Sequence, residues 1–395
     1  MTRVKTVKSA TKRRKIAILG STGSVGRQTI DLISRAPTGA YETVALTANK
    51  NVALLAKQAR ALNAKLAVVA DERHYRALKD ALAGTKTKAA AGAKAVEEAA
   101  AMESDWLMSA IVGAAGLPGT LAAARRGGTI AFANKETLVC AGPLMMELVA
   151  KAGATLLPVD SEHNAIYQVF DFDHKEGIAR LILTCSGGPF RTLSRGQMAK
   201  VTPEAAIKHP VWNMGAKISI DSATLMNKAQ EIIEAHFLFQ MPSAQIDVLV
   251  HPQSVVHSMV EYRDGSILAQ LGSPDMRTPI GFCLAWPERM ETPVPKLDLA
   301  KISQLTFGNP DPKKFPALGF AREAMIKGGT APAMMSAANE IAVQAFLDKR
   351  IGFLDIERIV ETVLSSIPPS KLTDLDVLRD ADAAARAKAK EIIAS

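Results

Sequence analysis

Apolar residues in the first 160 positions fall into short blocks rather than long stretches. Residues 15–20 (KIAILG), 43–48 (TVALTA), 65–70 (KLAVVA), 106–112 (WLMSAIV), 129–133 (TIAFA) and 154–159 (ATLLPV) are apolar runs of strand length, separated by helical segments. Short apolar strands alternating with helices specify a parallel sheet with helices on both faces. The Ala-rich segment 89–101 reads as a surface helix or loop of this layer.

From about residue 160 the pattern changes. A strand at 180–184 (RLILT) runs into the loop Cys185-Ser-Gly-Gly-Pro189, and a further strand lies at 246–250. The runs 254–262 and 266–271 flank Asp264-Gly265, a hairpin signal, so this part is α+β with at least one antiparallel pair. Residues 291–315 are rich in Pro, Lys and Asp and read as a linker. Beyond them, helical patterns at 316–327, 332–348, 355–366 and 375–393 suffice for a small helical bundle. There is no internal repeat.

At the N-terminal end, Gly20-x-x-Gly23-x-x-Gly26 follows a strand and opens the helical pattern 27–34. Glycines let the backbone approach a pyrophosphate, and a helix N-terminus offers free N–H groups to it. The second strand ends at Ala48-Asn49-Lys50-Asn51. No acid stands there for a ribose 2′-hydroxyl, and Lys50 could meet a 2′-phosphate, so NADP(H) is expected over NAD. The alternative for Lys50 is a solvated loop lysine. The chain then divides into a basic flexible tail (1–14), a Rossmann-like NADPH-binding α/β domain (15–159), a catalytic α+β domain (160–290), the linker (291–315) and a C-terminal α-helical domain (316–395).

Composition adds boundaries. With 395 residues the chain exceeds one simple core, and 48% hydrophobic with 22% charged residues is ordinary for a soluble globular protein. No run of about 18 apolar residues exists, so neither a membrane span nor a membrane partner is expected. The net charge of +9 is concentrated in Arg3, Lys5, Lys8, Lys12, Arg13, Arg14 and Lys15, a stretch without an acid. A disordered tail is the simpler reading; an organelle transit peptide would be longer, and a secretory signal lacks its apolar core. The rest of the chain is near charge balance, so no nucleic-acid partner is demanded. Three widely spaced cysteines, Cys140, Cys185 and Cys283, match no metal or CxxC spacing and point to reduced thiols in the cytoplasm.

Asp160-Ser161-Glu162 follows the strand at 154–159, where ligands of α/β proteins bind. If that segment is extended, Asp160 and Glu162 point the same way and can share a cation, and oxygen ligands suit Mg²⁺ or Mn²⁺. An acidic N-cap for a helix at 163–170 explains the triplet as well. Metal binding needs a third ligand, and Glu231 is the candidate. A helix over 223–238 puts Asn227, Lys228 and Glu231 on one face, although a surface Lys228–Glu231 pair would look the same. Ser222 at that helix's start, Ser186 in the second glycine loop, Asn227 and Lys228 together make a phosphate grip. His209-Pro-Val-Trp212-Asn-Met214-Gly215 reads as a loop able to close over a site, with ordinary packing as the alternative.

Taken in order, GSTGSVG (20–26), ANKE (133–136), PVDSEHNAI (158–166), SGGPF (186–190), HPVWNMGAKISIDSATLMNKAQEIIEA (209–235) and HPQSVVHSMVEYRDGS (251–266) resemble the 1-deoxy-D-xylulose 5-phosphate reductoisomerase family, as does the helical C-terminus. The resemblance covers nearly the whole chain after the basic tail. It implies rearrangement of 1-deoxy-D-xylulose 5-phosphate to a branched aldehyde and its reduction by NADPH to 2-C-methyl-D-erythritol 4-phosphate, an isoprenoid precursor. A retro-aldol/aldol path and a one-step ketol shift both remain open. The resemblance also implies a divalent metal (Mg²⁺, Mn²⁺ or Co²⁺) and a homodimer formed through the 255–271 hairpin sheet.

By position, the resemblance gives the metal to Asp160, Glu162 and Glu231, and the substrate's hydroxyl and carbonyl end to Ser161, Glu162 and Lys135. Ser186, Ser222, Asn227 and Lys228 would take the phosphate, and His209 and Trp212 would close over it. Lys135, Glu162, His209 and Glu231 are the catalytic candidates. NADPH would be held by Thr22, Gly23, Ser24 and Val25, helped by Asn49, Lys50, Asn51, Asn134, Glu136 and Gly215, with Met214 near the nicotinamide. Asn49 departs from the glycine common at its position, which bears on cofactor affinity. Two other classes stay open at this point: a metal-free NADP dehydrogenase with Cys185 as nucleophile, and a non-catalytic NADP sensor.

Overall fold

The computed structural model describes residues 13–208, 211–212 and 214–395. Seven parallel strands form the N-terminal sheet: β1 (Arg14–Leu19), β2 (Tyr41–Ala48), β3 (Leu66–Val69), β4 (Lys88–Ala91), β5 (Trp106–Ser109), β6 (Thr129–Phe132) and β7 (Thr155–Pro158), in the order β4-β3-β2-β1-β5-β6-β7. Helices α1 (Ser24–Arg35), α2 (Val52–Ala61), α3 (Tyr75–Ala81), α4 (Ala93–Ala101), α5 (Leu117–Arg126) and α6 (Lys135–Ala152) connect them. Side chains alternate between faces, so both faces must be apolar. Ile16, Ile18, Trp106 and Met108 pack into one layer with Leu32, while Ala17, Leu19, Leu107 and Phe132 pack into the other with Leu121 and Leu138.

The alanine-rich segment departs from the sequence expectation. It contains an edge strand, β4, paired with β3 from Leu66↔Lys88 to Val69↔Ala91, followed by α4, which buries Val96, Ala99 and Ala100. Alanine has little strand preference of its own, and pairing with a neighbour decides the outcome.

The central part starts with α7 (Ser161–Val169) and holds a second sheet of β8 (Ile178–Cys185), β9 (Ile246–Val250), β10 (Val256–Tyr262) and β11 (Ile267–Leu271), in the order β11-β10-β8-β9. β10 is antiparallel to both β8 and β11, and Gly265 takes φ +89° in the hairpin turn between β10 and β11. Between β8 and β9 run two single turns, α8 (Arg195–Met198) and α9 (Pro203–Ala206), and then α10 (Ala216–Thr224) and α11 (Met226–Phe239).

Helix α12 (Arg277–Ala285) returns to the first sheet, where Ile280, Cys283 and Leu284 join the layer around Leu32 and Trp106. The proline-rich stretch after it contains the single turn α13 (Leu299–Ile302) and is strapped to the second sheet. There Val250 and Gly308 exchange backbone hydrogen bonds of 2.8 and 2.9 Å, and His251 Nδ1 lies 2.8 Å from the Thr306 carbonyl.

The C-terminal helices α14 (Ala317–Lys327), α15 (Ala331–Leu347), α16 (Asp355–Ser366) and α17 (Leu375–Ala394) lie close to where their apolar spacing places them. α15 is apolar on nearly every side and forms the centre of this group, with Met335, Val343 and Phe346 packed on Ile356, Ile359 and Val363. Among the described residues no helix is long and apolar enough to cross a membrane.

Candidate active site

The strand order reverses between β1 and β5, and the loop after β1 opens there. Such a switch point is where ligands of parallel sheets bind. Gly20 has φ +82°, and a Cβ on it would stand 2.6 Å from the Ala110 carbonyl oxygen. At Gly26 a Cβ would stand 2.3 Å from the Gly20 carbonyl oxygen. Both positions therefore require glycine, which lets α1 start directly against the loop. Gly23 is the N-cap of α1 and supplies no side-chain cap, leaving the helix N–H groups available. Beyond β2, Asn49, Lys50 and Asn51 are exposed, and Asn51 caps α2 by accepting from Leu54 N at 3.2 Å. The nearby acid Asp71 is engaged by Arg73 at 2.6 Å.

Asp160 is the N-cap of α7 and accepts from Glu162 N at 3.1 Å. Asp160 and Glu162 are thus not an extended i, i+2 pair as expected, because Glu162 sits in the first turn of α7. Capping and clustering nevertheless coexist, because one oxygen of Asp160 caps while the other faces Lys135. One carboxylate oxygen from each of Asp160, Glu162 and Glu231 can be chosen so that all three lie within 4.8 Å of one another. Glu231 is fully buried.

Two ammonium groups thread this cluster. Lys135 Nζ, from the first turn of α6, donates to Asp160 Oδ2 at 2.5 Å, Asn227 Oδ1 at 2.9 Å and Glu231 Oε1 at 3.2 Å. Lys228 Nζ donates to Glu231 and lies 3.6 Å from Glu162 Oε1. Ser161 Oγ donates to Glu162 Oε2 at 2.7 Å. Burial disfavours the Asp160 carboxylate, but Lys135, His163 and Lys228 outweigh it and hold the group well below the usual carboxylate range. Burial pushes the Glu162 carboxyl up to about 8; Lys228 opposes this, and Glu231 and Asp160 add to it. Three convergent carboxylates, all oxygen donors and sunk in the protein, are a fitting donor set for a hard divalent cation.

The helix expected over 223–238 is in fact two. Leu225 adopts a left-handed conformation, φ +60°, and ends α10 before α11 begins. Ser222 therefore stands in the last turn of α10, not at a helix start, and the helix-dipole argument for it falls. Asn227 and Lys228 occupy the first turn of α11. No glycine or proline marks the break, so the pattern of apolar residues hid it. Ser186 Oγ accepts from Gly188 N at 3.1 Å, and Gly188 approaches α10 so closely that a Cβ would stand 2.7 Å from the Ser222 carbonyl oxygen.

These groups share one cavity of about 1050 Å³. Its walls include Lys135, Asp160, Ser161 and Glu162 on one side, Ser186, Ser222, Asn227 and Lys228 on another, and Ser24, Val25, Trp212, Met214 and Gly215 toward the nucleotide loop. Thr22, Gly23, Asn49, Lys50, Asn51, Asn134, Glu136 and the fully buried Glu231 lie outside this lining. Asn134 caps α6, accepting from Thr137 N at 3.0 Å, and donates to the Gly113 carbonyl at 3.1 Å, which ties the β5 and β6 loops together. The Glu136 carboxylate turns to Lys217, at 3.4 Å. His209 lies outside the described residues, as do Asn213 and residues 1–12 of the basic tail. Cys185 lines the cavity, but burial pushes its thiol up to about 11, which disfavours the thiolate that a Cys185 nucleophile requires.

The sequence reading missed two residues behind the cluster. His163 Nδ1 lies 2.9 Å from Glu234 Oε2 and 3.6 Å from Asp160 Oδ1, and its Nε2 lies 2.9 Å from the Glu231 carbonyl oxygen. Both side chains are buried. The signal was there: an ionisable residue at one helical turn from each carboxylate, Asp160/His163 and Glu231/Glu234.

A nucleotide loop at a switch point, opening into a cavity walled by two carboxylates of a buried triad, places the protein among nucleotide-dependent oxidoreductases equipped for a divalent cation. Comparison with known proteins narrows this. The family model for 1-deoxy-D-xylulose 5-phosphate reductoisomerase matches residues 16–142, its C-terminal domain model matches 156–239, and a DXP reductoisomerase C-terminal domain model matches 271–388. The reductoisomerase of Rhodospirillum centenum is 64% identical over 97% of this chain and 95% of its own length, and that of Zymomonas mobilis is 57% identical over 97% and 98%. The solved Zymomonas mobilis enzyme in complex with NADPH superposes with a TM-score of 0.93 at 56% identity, covering 97% of this chain and all (100%) of that one. A DOX-P reductoisomerase in complex with NADPH, fosmidomycin and magnesium gives 0.91 at 42% identity, covering 96% and 98%. The chain belongs to the 1-deoxy-D-xylulose 5-phosphate reductoisomerase family.

Proposed function

We propose that this protein isomerises and reduces 1-deoxy-D-xylulose 5-phosphate to 2-C-methyl-D-erythritol 4-phosphate, using NADPH and a divalent cation. The observation that carries the reading is the convergence of Asp160, Glu162 and Glu231, of which Asp160 and Glu162 face the cavity that reaches Ser24 and Val25 of the nucleotide loop and Glu231 lies buried behind them. The NADPH and magnesium of the solved relatives supply the cofactor identities, and the absence of an acid at residues 49–51 agrees with a 2′-phosphorylated nucleotide.

Bound by Asp160, Glu162 and Glu231, the cation supplies Lewis acidity toward the substrate's ketone and neighbouring hydroxyl. Lys135 is placed to donate hydrogen bonds at the same end, since its Nζ already reaches Asp160, Asn227 and Glu231. Ser161 orients Glu162 through its 2.7 Å hydrogen bond. Ser186, Ser222, Asn227 and Lys228 form the wall assigned to the phosphate. The phosphate itself does not react, so its binding energy can be used for closure and orientation. The segment 209–215, with His209, Trp212 and Met214, is assigned to closing the cavity and excluding water from the rearrangement. The Gly20–Gly26 loop, with Thr22, Gly23, Ser24 and Val25, is assigned to the nucleotide.

A homodimer through the second sheet is part of the proposal. β11 is an edge strand with Ile267, Leu268 and Leu271 exposed, and pairing or covering such an edge protects it. A cytoplasmic location agrees with three free cysteines. The test is NADPH oxidation with 1-deoxy-D-xylulose 5-phosphate and Mg²⁺, repeated with EDTA. Substrate-dependent oxidation that EDTA abolishes is expected. Oxidation that survives EDTA would discard the carboxylate cluster as a metal site, and no oxidation by folded, NADPH-binding protein would overturn the reaction.

A further inference from the structure

Helix α10 carries two parts of the proposed substrate machinery. Gly215 at its N-terminus ends the 209–215 segment, and Ser222 in its last turn stands on the phosphate wall. Gly215 provides no side-chain cap at the start of the helix, and at its end the left-handed Leu225 closes the helix with its N–H on the Ser222 carbonyl. Gly215, Ile218 and Ser222 form its cavity face. On the flank outside that lining stand two charged residues one turn apart, Lys217 and Asp221.

Lys217 Nζ lies 2.6 Å from Asp221 Oδ2 and 3.4 Å from Glu136 Oε1 on α6. The other oxygen of Asp221 accepts a hydrogen bond from Asn339 Nδ2, on α15, at 2.8 Å. Asp221 and Asn339 are both fully buried, whereas Lys217 keeps 24% of its side chain exposed. Next along α15, Glu340 pairs with Arg386 of α17 at 2.6 Å and lies against Gly113 of the first domain, where a Cβ would stand 2.9 Å from its Oε1. A polar chain thus joins the nucleotide domain, α10 and the C-terminal helices. Taking a carboxylate out of water is costly, and an apolar contact would hold two helices together at less expense. A directional Asp–Asn bond adds what an apolar contact lacks: it fixes the rotation of α10 about its axis.

We propose that Asp221, held by Asn339, is a positioning residue that sets Ser222 against the substrate phosphate, so that the C-terminal helices take part in substrate recognition. This rests on the assignment of Ser222 to the phosphate wall.

The test uses the full chain with NADPH and Mg²⁺. Asn339→Asp, which sets two carboxylates face to face, and Asn339→Ala are each measured for kcat, for KM toward 1-deoxy-D-xylulose 5-phosphate, and for NADPH affinity. KM is expected to rise about tenfold with kcat nearly unchanged, and NADPH affinity should hold. Combining D221N with N339D restores a donor–acceptor pair of reversed sense and is expected to recover much of the lost KM. Adding Ser222→Ala to N339A should cost little more than either alone, because both act through one contact. Effects of S222A and N339A that multiply, or a loss confined to kcat, would overturn the positioning role while leaving the phosphate assignment standing. An S222A variant with unchanged KM would overturn the phosphate assignment itself, and the proposal with it. If N339D fails to fold, Asn339→Ala and Asn339→Ser carry the same comparison.

Discussion

His163 and Glu234 form a buried ion pair, 2.9 Å between Nδ1 and Oε2, directly behind two of the three clustered carboxylates. Burial disfavours the imidazolium, but Glu234 outweighs it and raises His163 to about 9, with Asp160 and Glu231 adding to the effect. The protonated ring then donates from Nε2 to the Glu231 carbonyl, fixing that residue's backbone.

Removing one member of this pair leaves an uncompensated buried charge. Glu234→Leu is therefore expected to destabilise the protein by about 3–5 kcal/mol. The double change with His163→Leu should cost clearly less than the sum of the two single changes. Urea denaturation midpoints of the three variants decide it, and strict additivity would show that the two residues do not act as a pair.

Glu231→Gln and Asp160→Asn each remove a proposed metal oxygen while keeping the side chain's size. Turnover should fall by about a hundredfold or more, with Mg²⁺ needed at higher concentration. Near-normal turnover at saturating Mg²⁺ would reject the metal assignment.

Lys228 is buried and bonded to Glu231, and it stands on the wall assigned to the phosphate. Lys228→Ala should raise KM for the phosphorylated substrate by about tenfold or more, the loss of one charge-assisted contact. A KM equal to that of the parent protein would remove Lys228 from the phosphate grip.

His257 gives a pH dependence. Burial lowers its imidazole to about 4, helped by His251 and Lys228 and opposed by hydrogen bonds at Ser273 and Gly272. The unfolded chain has the ordinary value of about 6.5 and so binds the proton first as pH falls. The contribution of His257 is therefore fully present above about 6.5 and is lost as pH drops toward 4, on the order of 3 kcal/mol. Denaturation of the parent and of His257→Gln at pH 7.5 and pH 5 checks the sign: the parent should lose more. Equal losses would assign the acid sensitivity to other groups.

The parts of the fold visible in the sequence were those whose pattern is local. β1, β2, β9 and the four C-terminal helices carry regular apolar spacing, and Gly26 is forced by a contact within its own loop, whereas Gly20 is forced by Ala110 beyond β5. β4 was missed because four alanine-rich residues look alike in a strand or a helix, and only Leu66–Val69 alongside settle it. The carboxylates of the site were legible because they cluster along the chain or sit one helical turn from a lysine. What binds the site together was not: Glu234 is far from His163 in sequence, and Asn339 is far from Asp221. Such pairs exist only once the helices pack.

Leu225 sets the direction in which α11 leaves α10. On one unbroken helix, Ser222 and Asn227 would be turned about 140° apart around the axis and could not line the same wall. A single left-handed residue, at a cost of about 1 kcal/mol, acts as a joint that folds two divergent helix faces toward one ligand. The spacing across residues 222–228 is therefore as constrained as the residues themselves. Inserting or deleting one residue at this joint would swing Asn227 and Lys228 off the cavity with every functional side chain still present.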